Sequence, residues 1–377
     1  MGAIRRKMVF LPKKLAMFLH ERENWWQFRY DTERILCPLA AVRARIGTLC
    51  GRMAALGFEI QNETLLDALS VEIRKSSEIE GELLDLQQIR SSIASKLGID
   101  TSGVVASTHY IEGVVEMMLD ALQNYRMPLS DERLFGWHSV LFPSGRSGLY
   151  KIEVGQYRTG EMQVVSGPMG QEKVHYKAPL PQRVEPEMER FIRWVNDTND
   201  VEPIVKAAIA HLWFLTIHPF DDGNGRIARA ITDMLLARTD GSSKRFYSMS
   251  RAILNNRKGY YAVLEHTQHG DGDITEWLLW FISALNDALT HTDETLVSVF
   301  AKADFWKAHD SRSFNARQYK MLNRLMDGIE GKMNTSKWAK MCKCSSDTAL
   351  NDINDLIQRG IMRKNDAGGK NTNYELV

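Results

Sequence analysis

The chain has 377 residues, 44% of them hydrophobic and 25% charged, enough for two or three domains with substantial cores. Its 48 Lys and Arg nearly cancel 47 Asp and Glu, so no global field points to nucleic acid or a membrane surface as the partner. Cys37, Cys50, Cys342 and Cys344 form neither a CxxC pair nor a set with histidines, which argues against zinc and a disulfide framework and for a reducing, cytoplasmic setting.

At the N-terminus, Pro12, Lys13 and Lys14 break the apolar run before it reaches signal-peptide length. No later stretch approaches the ~18 to 20 apolar residues of a membrane span. Residues 20–98 place apolar side chains at helical spacing, as in "ILCPLAAVRARIGTLCGRMAALG", and predict packed helices. The pattern in "TLLDALSVEIRKSSEIEGELL" runs until Gly81, where a left-handed glycine can end a helix. Ser76 and Glu80 then share one face, a turn apart.

Residues 107–142 predict two more helices, ending in the Pro, Gly and Ser-rich loop "HSVLFPSGRSG". Next come two β-prone runs, "MQVVS" and "KVHYKA", flanking "GPMGQE": a hairpin, and the one strand pair expected in the first 300 residues. Helical periodicity resumes from Val184 to Leu289, interrupted at "HPFDDGNG" and around "TDGSSKRF". The final segment, 311–377, reads as three helices and a hairpin around Gly368 and Gly369, the order of a winged helix-turn-helix.

The polar stretch "HPFDDGNGRIAR", residues 218–229, lies between two apolar helices. A glycine-containing loop entering a helix exposes backbone N–H groups at the positive end of the helix dipole, which suits an anion. Arg226 and Arg229, three apart on the first turn, can reach the same phosphates. Asp222 can hold a divalent cation that bridges phosphates, as magnesium is commonly retained by one carboxylate plus substrate. His218, followed by Pro219 and an inward-turned Phe220, can take a proton from an incoming hydroxyl.

With those residues in view, the chain resembles the Fic-domain enzymes. "HPFDDGNGRIAR" meets every specified position of their HxFx(D/E)GNGRxxR motif, and the resemblance covers residues 107–289. It implies a mainly α fold: a Fic-type helical core at 101–295 with a β-hairpin flap, and a helical N-terminal domain at 1–100. The winged helix at 311–377 completes the expected domains. It also implies transfer of AMP from ATP to a Ser, Thr or Tyr hydroxyl of a target protein, with Mg2+. His218 would be the general base and Asp222 the magnesium ligand. Gly223, Asn224, Gly225 and Arg226 would form the anion cradle, and Arg229 would be the γ-phosphate partner. The flap, 162–167, would line the nucleotide site through Val165, Ser166 and Gly167 and pair with the target's backbone. Tyr260 and Tyr261 would stand on the adenine side.

"SSEIEG", residues 76–81, matches the family's inhibitory pattern (S/T)xxxE(G/N) through Ser76, Glu80 and Gly81. A carboxylate on Arg229 would compete with the γ-phosphate, which makes residues 65–81 an inhibitory helix. Removal of AMP, or transfer of another phosphate-containing group, could occupy the same site. A nucleotide-sensing DNA-binding regulator is the alternative outside enzymes. Residues 311–377 carry 12 Lys and Arg against 7 Asp and Glu. Asp347, Asp352 and Asp355 on the would-be recognition helix are expected to face phosphates, which turns the balance toward a protein partner over DNA. A homodimer is left open.

Overall fold

The structure, a computed structural model, describes residues 17–99, 105–166, 173–197, 200–326, 328, 329, 331–365 and 372–377. It is mainly helical and divides into two compact units, one up to His291 and one from Thr292 onward. The turn of the predicted flap, with Gly167, lies outside the described residues, as do the first 16 residues and the turn at Gly368 and Gly369.

The first unit opens with α1 (Thr32–Ala54), α2 (Phe58–Ile79), α3 (Leu86–Leu97), α4 (His109–Gln123) and α5 (Asp131–Leu141). Four of the five begin where a polar side chain accepts an otherwise orphaned helix N–H: Asp31 from Arg34, Asp85 from Gln88, Thr108 from Ile111 and Ser130 from Arg133. Two short strands, β1 (Arg146–Ser147) and β2 (Tyr150–Lys151), pair in the stretch read from sequence as loop. Two-residue strands carry too little alternation to be seen in a pattern. The expected hairpin forms as β3 (Gln163–Ser166) and β4 (Lys173–Lys177), antiparallel, with an irregularity between Val164 and Val165.

The rest of this unit is α6 (Pro181–Asp197), α7 (Pro203–Ile217), α8 (Asn224–Asp240), α9 (Met249–Asn255), α10 (Arg257–Gln268) and α11 (Thr275–Ala308), whose last turns pass the unit boundary. Every residue of α7 from Ile204 to Ile217 is buried, as expected of a helix apolar on all sides at the centre of a core. It packs on α8. Helix α2 begins at Phe58, seven residues before the boundary read from sequence, and packs on α3 and α9. Its buried Glu72 accepts bonds from Ser248 Oγ (2.7 Å), Ser250 N (3.1 Å) and Ser250 Oγ. A buried carboxylate so satisfied fixes one helix against the other.

In the second unit α12 (Ala316–Met326), α13 (Thr335–Cys342) and α14 (Ser346–Gln358) are followed by the antiparallel pair β5 (Met362–Lys364) and β6 (Tyr374–Leu376). Met321, Leu322, Trp338, Ile353, Leu356 and Met362 form its core. Here the structure corrects the expectation that three acids of α14 face outward. Asp352 is 5% exposed and accepts from Arg317 Nε (2.7 Å), Arg317 Nη2 (2.9 Å) and Asn315 Nδ2 (2.9 Å). Burial opposes its charge, yet the Arg317 and Asn315 bonds hold the carboxyl below its ordinary value. A charge count along a helix cannot show which acid has found an internal partner.

Asp352→Ala should remove the three bonds that Arg317 and Asn315 make to the middle of α14. A loss of about 2 kcal/mol is expected, read as faster hydrogen exchange of α14 amides in the full chain.

Candidate active site

Helix α7 ends at His218, whose backbone turns left-handed (φ 52°, ψ 60°). The loop then returns to start α8 at Asn224. Asn224 is buried with its side chain closing the loop from inside: Oδ1 accepts from Phe220 N (3.0 Å) and Nδ2 donates to Phe220 O (2.7 Å). Asp222 Oδ1 accepts from Gly223 N (2.5 Å) and its other oxygen from Ser147 Oγ. The first-turn amides of α8 have no helical acceptor and point, with the dipole, toward the same mouth.

Gly225 leaves room for the Glu80 carboxylate. A Cβ there would stand 2.0 Å from Glu80 Oε1 and 3.2 Å from Arg229 Nη1. The Glu80 carboxylate thus rests on the first turn of α8, over the surface where an anion would sit.

Three histidines of this region are held neutral by burial. His218 is lowered to about 4, chiefly by desolvation and further by Arg158, while the Leu215 carbonyl works the other way. Its Nδ1 donates to Leu215 O (3.2 Å), which leaves Nε2 as the basic nitrogen. His138 is lowered to about 4 by burial. It donates from Nε2 to Asp222 O (3.2 Å), accepts at Nδ1 from Gly155 N (3.2 Å), and stacks on Phe220. His211, on α7, is lowered to about 3 by burial and Arg229; its Nδ1 donates to Thr232 Oγ1 and its Nε2 accepts from Tyr260 OH, both at 2.8 Å.

The two arginines on the first turns of α8 are almost wholly buried, Arg226 at 1% and Arg229 at 2% exposure. Arg229 Nε donates to Ser76 Oγ (2.8 Å), and Nη2 to Ser76 O (2.9 Å) and Glu80 Oε1 (2.8 Å); Nη1 is buried without a hydrogen-bond partner. Burial opposes the charge of Arg229 and Glu80 restores it. Arg226 Nη1 donates to Glu82 Oε2 (3.0 Å) and meets Tyr110 OH, and the guanidinium lies over the Phe142 ring.

The end of α2 explains both acids. Gly81 is left-handed (φ 88°), its N–H bonds Glu78 O (3.0 Å), and Glu82 N–H reaches back to Ser77 O (3.0 Å), a Schellman arrangement. That turn presents Glu80 to Arg229 and Glu82 to Arg226.

Of the residues singled out in the sequence, the fold brings His218, Asp222, Gly223, Asn224, Gly225, Arg226, Arg229, Ser76 and Glu80 to this one place. Tyr260 is 2% exposed with its hydroxyl on His211, Tyr261 is 39% exposed with Arg257 over its ring, and both rings lie in the field of Arg229 and Glu80. Val165 is exposed on β3, and Ser166 ends that strand opposite Lys173. Sequence reasoning missed Glu82, Tyr110, His138, Ser147 and Arg158. Glu82 follows Gly81 directly and could have been found as a helix-end acid; the others have no local spacing that marks them.

Comparisons agree with this geometry. Residues 128–236 match the model of the Fic/DOC family, and residues 18–99 match one described as a domain of unknown function (DUF4172). The chain carries a Fic domain. It is 24% identical over 204 residues to a protein adenylyltransferase Fic of Nematostella vectensis, an alignment of 53% of this chain and 43% of that one. Against protein adenylyltransferase fic-1 of Caenorhabditis elegans the identity is 30% over 122 residues, 32% and 21% of the two chains. The chain thus matches less than half the length of these curated relatives. A crystal structure of a Fic family protein from Desulfovibrio desulfuricans G20 superposes with a TM-score of 0.53 at 22% identity, over 90% of this chain and 96% of the other, which shows a shared fold.

The neutral histidines set a pH dependence. In the unfolded chain they titrate near ~6.5, so as pH falls from there toward about 4 the unfolded state takes up protons that the folded state declines. Their contribution to stability is complete above ~6.5 and is lost on acidification. His211→Gln should flatten this by one proton. Between pH 7 and 5 the variant should lose roughly 2 kcal/mol less than wild type in denaturant unfolding.

Proposed function

We propose that the Fic domain at 128–236 works within a protein adenylyltransferase that moves AMP from ATP to a hydroxyl of a target protein and is held off by Glu80. One observation carries this reading. A basic imidazole nitrogen, a helix N-terminus and a buried guanidinium with an unpartnered Nη1 converge, and the acid of another helix lies across them.

In the proposed reaction, the phosphates of ATP lie along the first turn of α8, where backbone N–H groups receive them without reorganisation. Arg229 turns Nη1, already desolvated, toward the γ-phosphate. The target hydroxyl loses its proton to Nε2 of His218 as its oxygen bonds the α-phosphorus. The bond to the bridging oxygen breaks and pyrophosphate leaves. His218 suits the role because burial keeps it neutral and the Leu215 bond fixes its tautomer. Asp222 fits as the holder of Mg2+: its carboxylate is half-exposed at the mouth of the loop, a hard oxygen donor beside the Ser147 hydroxyl. Such an ion, when bound, supplies charge neutralisation at the phosphates. The exposed β3 edge, with Val165, is read as the flap that receives the target's backbone.

Glu80 blocks this arrangement by position. Its carboxylate occupies both the Arg229 guanidinium and the space above Gly225, so a γ-phosphate must displace it or settle elsewhere. Residues 311–377 are read as a winged helix that binds protein. The exposed positions of α14 from Ser346 to Asp355 include Asp347, Leu350, Asn351 and Asn354 and no basic side chain to meet phosphates. The cytosol remains the proposed location. Among the described residues no helix is long and apolar enough to cross a membrane.

Labelled-AMP incorporation into the chain itself and into lysate proteins tests the reading. Glu80→Gly should raise it at least about tenfold, the effect of ~1.4 kcal/mol of lifted competition, and Arg229→Ala in the same chain should cancel the gain. Adding His218→Ala to Glu80→Gly should cost ~10²- to 10⁴-fold with ATP affinity kept. Since the base is lowered to about 4, the rate of the Glu80→Gly protein should hold down to that pH instead of failing near ~6.5. Equal labelling of wild type and Glu80→Gly would end the inhibitory reading.

A further inference from the structure

The main-chain carbonyls from Phe214 to Pro219, where α7 stops and His218 turns left-handed, are all hydrogen-bonded. Phe214 O accepts from His218 N (2.9 Å), Leu215 O from His218 Nδ1 (3.2 Å) and Thr216 O from Tyr176 OH (2.6 Å). The other three all go to Arg158: Ile217 O to Nη2 (3.4 Å), His218 O to Nε (2.7 Å) and Pro219 O to the Arg158 backbone N (2.9 Å). A helix C-terminus normally leaves such carbonyls to water, yet three of these are served by one residue some 60 positions away, two through its side chain and one through its backbone N–H.

The same guanidinium holds the two roots of the hairpin. Nη1 donates to Gly160 O (2.8 Å), before β3, and Nη2 to Pro179 O (2.6 Å), after β4; Ala178 N to Met162 O (3.0 Å) closes the base between them. Arg158 is 2% exposed, and every bond its guanidinium makes is to a main-chain carbonyl; Asp221 supports its charge through space, without a direct bond among the described residues. A planar fork of five donors can satisfy these four carbonyls on three chain segments at once, whereas a lysine ammonium has only three donors.

A non-glycine residue in the left-handed region costs on the order of 1–2 kcal/mol and persists where surrounding bonds over-determine it. His218 is such a residue, and its carbonyl carries the 2.7 Å bond to Arg158. We propose that Arg158 is a positioning residue that fixes the left-handed backbone of His218 and ties it to the seating of the β3–β4 hairpin, so that the base is aimed when the hairpin that receives the target is in place. This rests on the adenylyltransferase reading for the base and the flap. The coupling itself is a property of the fold and is measured without any reaction.

The test uses full-length chain in the Glu80→Gly background, with Arg158→Lys and Arg158→Gln. The rate of labelled-AMP incorporation at saturating ATP should fall ~10- to 100-fold, as for a group displaced by about 1 Å, while the ATP concentration for half-maximal rate stays within about threefold. In parallel, the His218 imidazole signals should broaden or double, and amides of β3 and β4 should exchange faster. His20→Ala is the arm that does not touch Arg158. It removes a bond from His20 Nε2 to Lys177 O (2.7 Å) on the hairpin, and under the proposal it shifts the same His218 signals.

Unchanged His218 signals in the Arg158 variants overturn the proposal. If those variants do not fold, unchanged signals in His20→Ala overturn it equally. A rate loss that only follows the folded fraction, with His218 unmoved, would make Arg158 a stabilising residue and no more. If the Glu80→Gly parent incorporates no AMP at all, the activity reading fails and the imidazole and exchange measurements still decide the coupling.

Discussion

A buried guanidinium is the constraint on which the arrangement depends. Arg229 is set inside the first unit by the course of α8, and a cation so placed is strongly destabilising unless its donors are met. Ser76 and Glu80 meet three of them and leave Nη1 open. The need for a partner is permanent, but the partner's identity is not. A carboxylate and a phosphate satisfy the same fork, and exchange between them costs far less than leaving the arginine bare. Under the proposed reading, inhibition requires no separate device, because the guanidinium that would bind the substrate's charge is the one that binds Glu80.

The loop in front of Arg229 is held by bonds to its backbone. His138 takes the Asp222 carbonyl, Asn224 takes both polar groups of Phe220, and Arg158 takes the carbonyls around His218. A loop tied in this way keeps its geometry whatever lies in the mouth, as preorganised electrostatic stabilisation demands. Arg226 is further braced by Glu82, Tyr110 and the Phe142 ring, so Glu80 and Glu82 are each engaged with one of the two arginines on the first turns of α8. One Schellman turn delivers both.

The second unit carries its own lesson about charge. Three acids on one helix look, in a string of letters, like a surface hostile to nucleic acid. One of them is a structural anchor for Arg317 and Asn315, and the outer face that remains is still without basic residues.

The twelve residues from His218 to Arg229 read as an anion site and a base because their spacing is local. A loop, a helix start and a pair of arginines three apart need only a few consecutive positions to be recognised, and Ser76 with Glu80 is likewise one helical turn. Periodicity was enough for the long helices, and N-cap side chains mark where four of the first five begin. Only the tertiary structure put Arg158, His138, Tyr110 and Glu82 against that loop, turned Tyr260 into the core, and moved Asp352 off the surface. These residues act through main-chain carbonyls or through partners on distant elements. A carbonyl has no letter of its own, so nothing in the sequence records which side chain will come to bond it until packing has brought the two together.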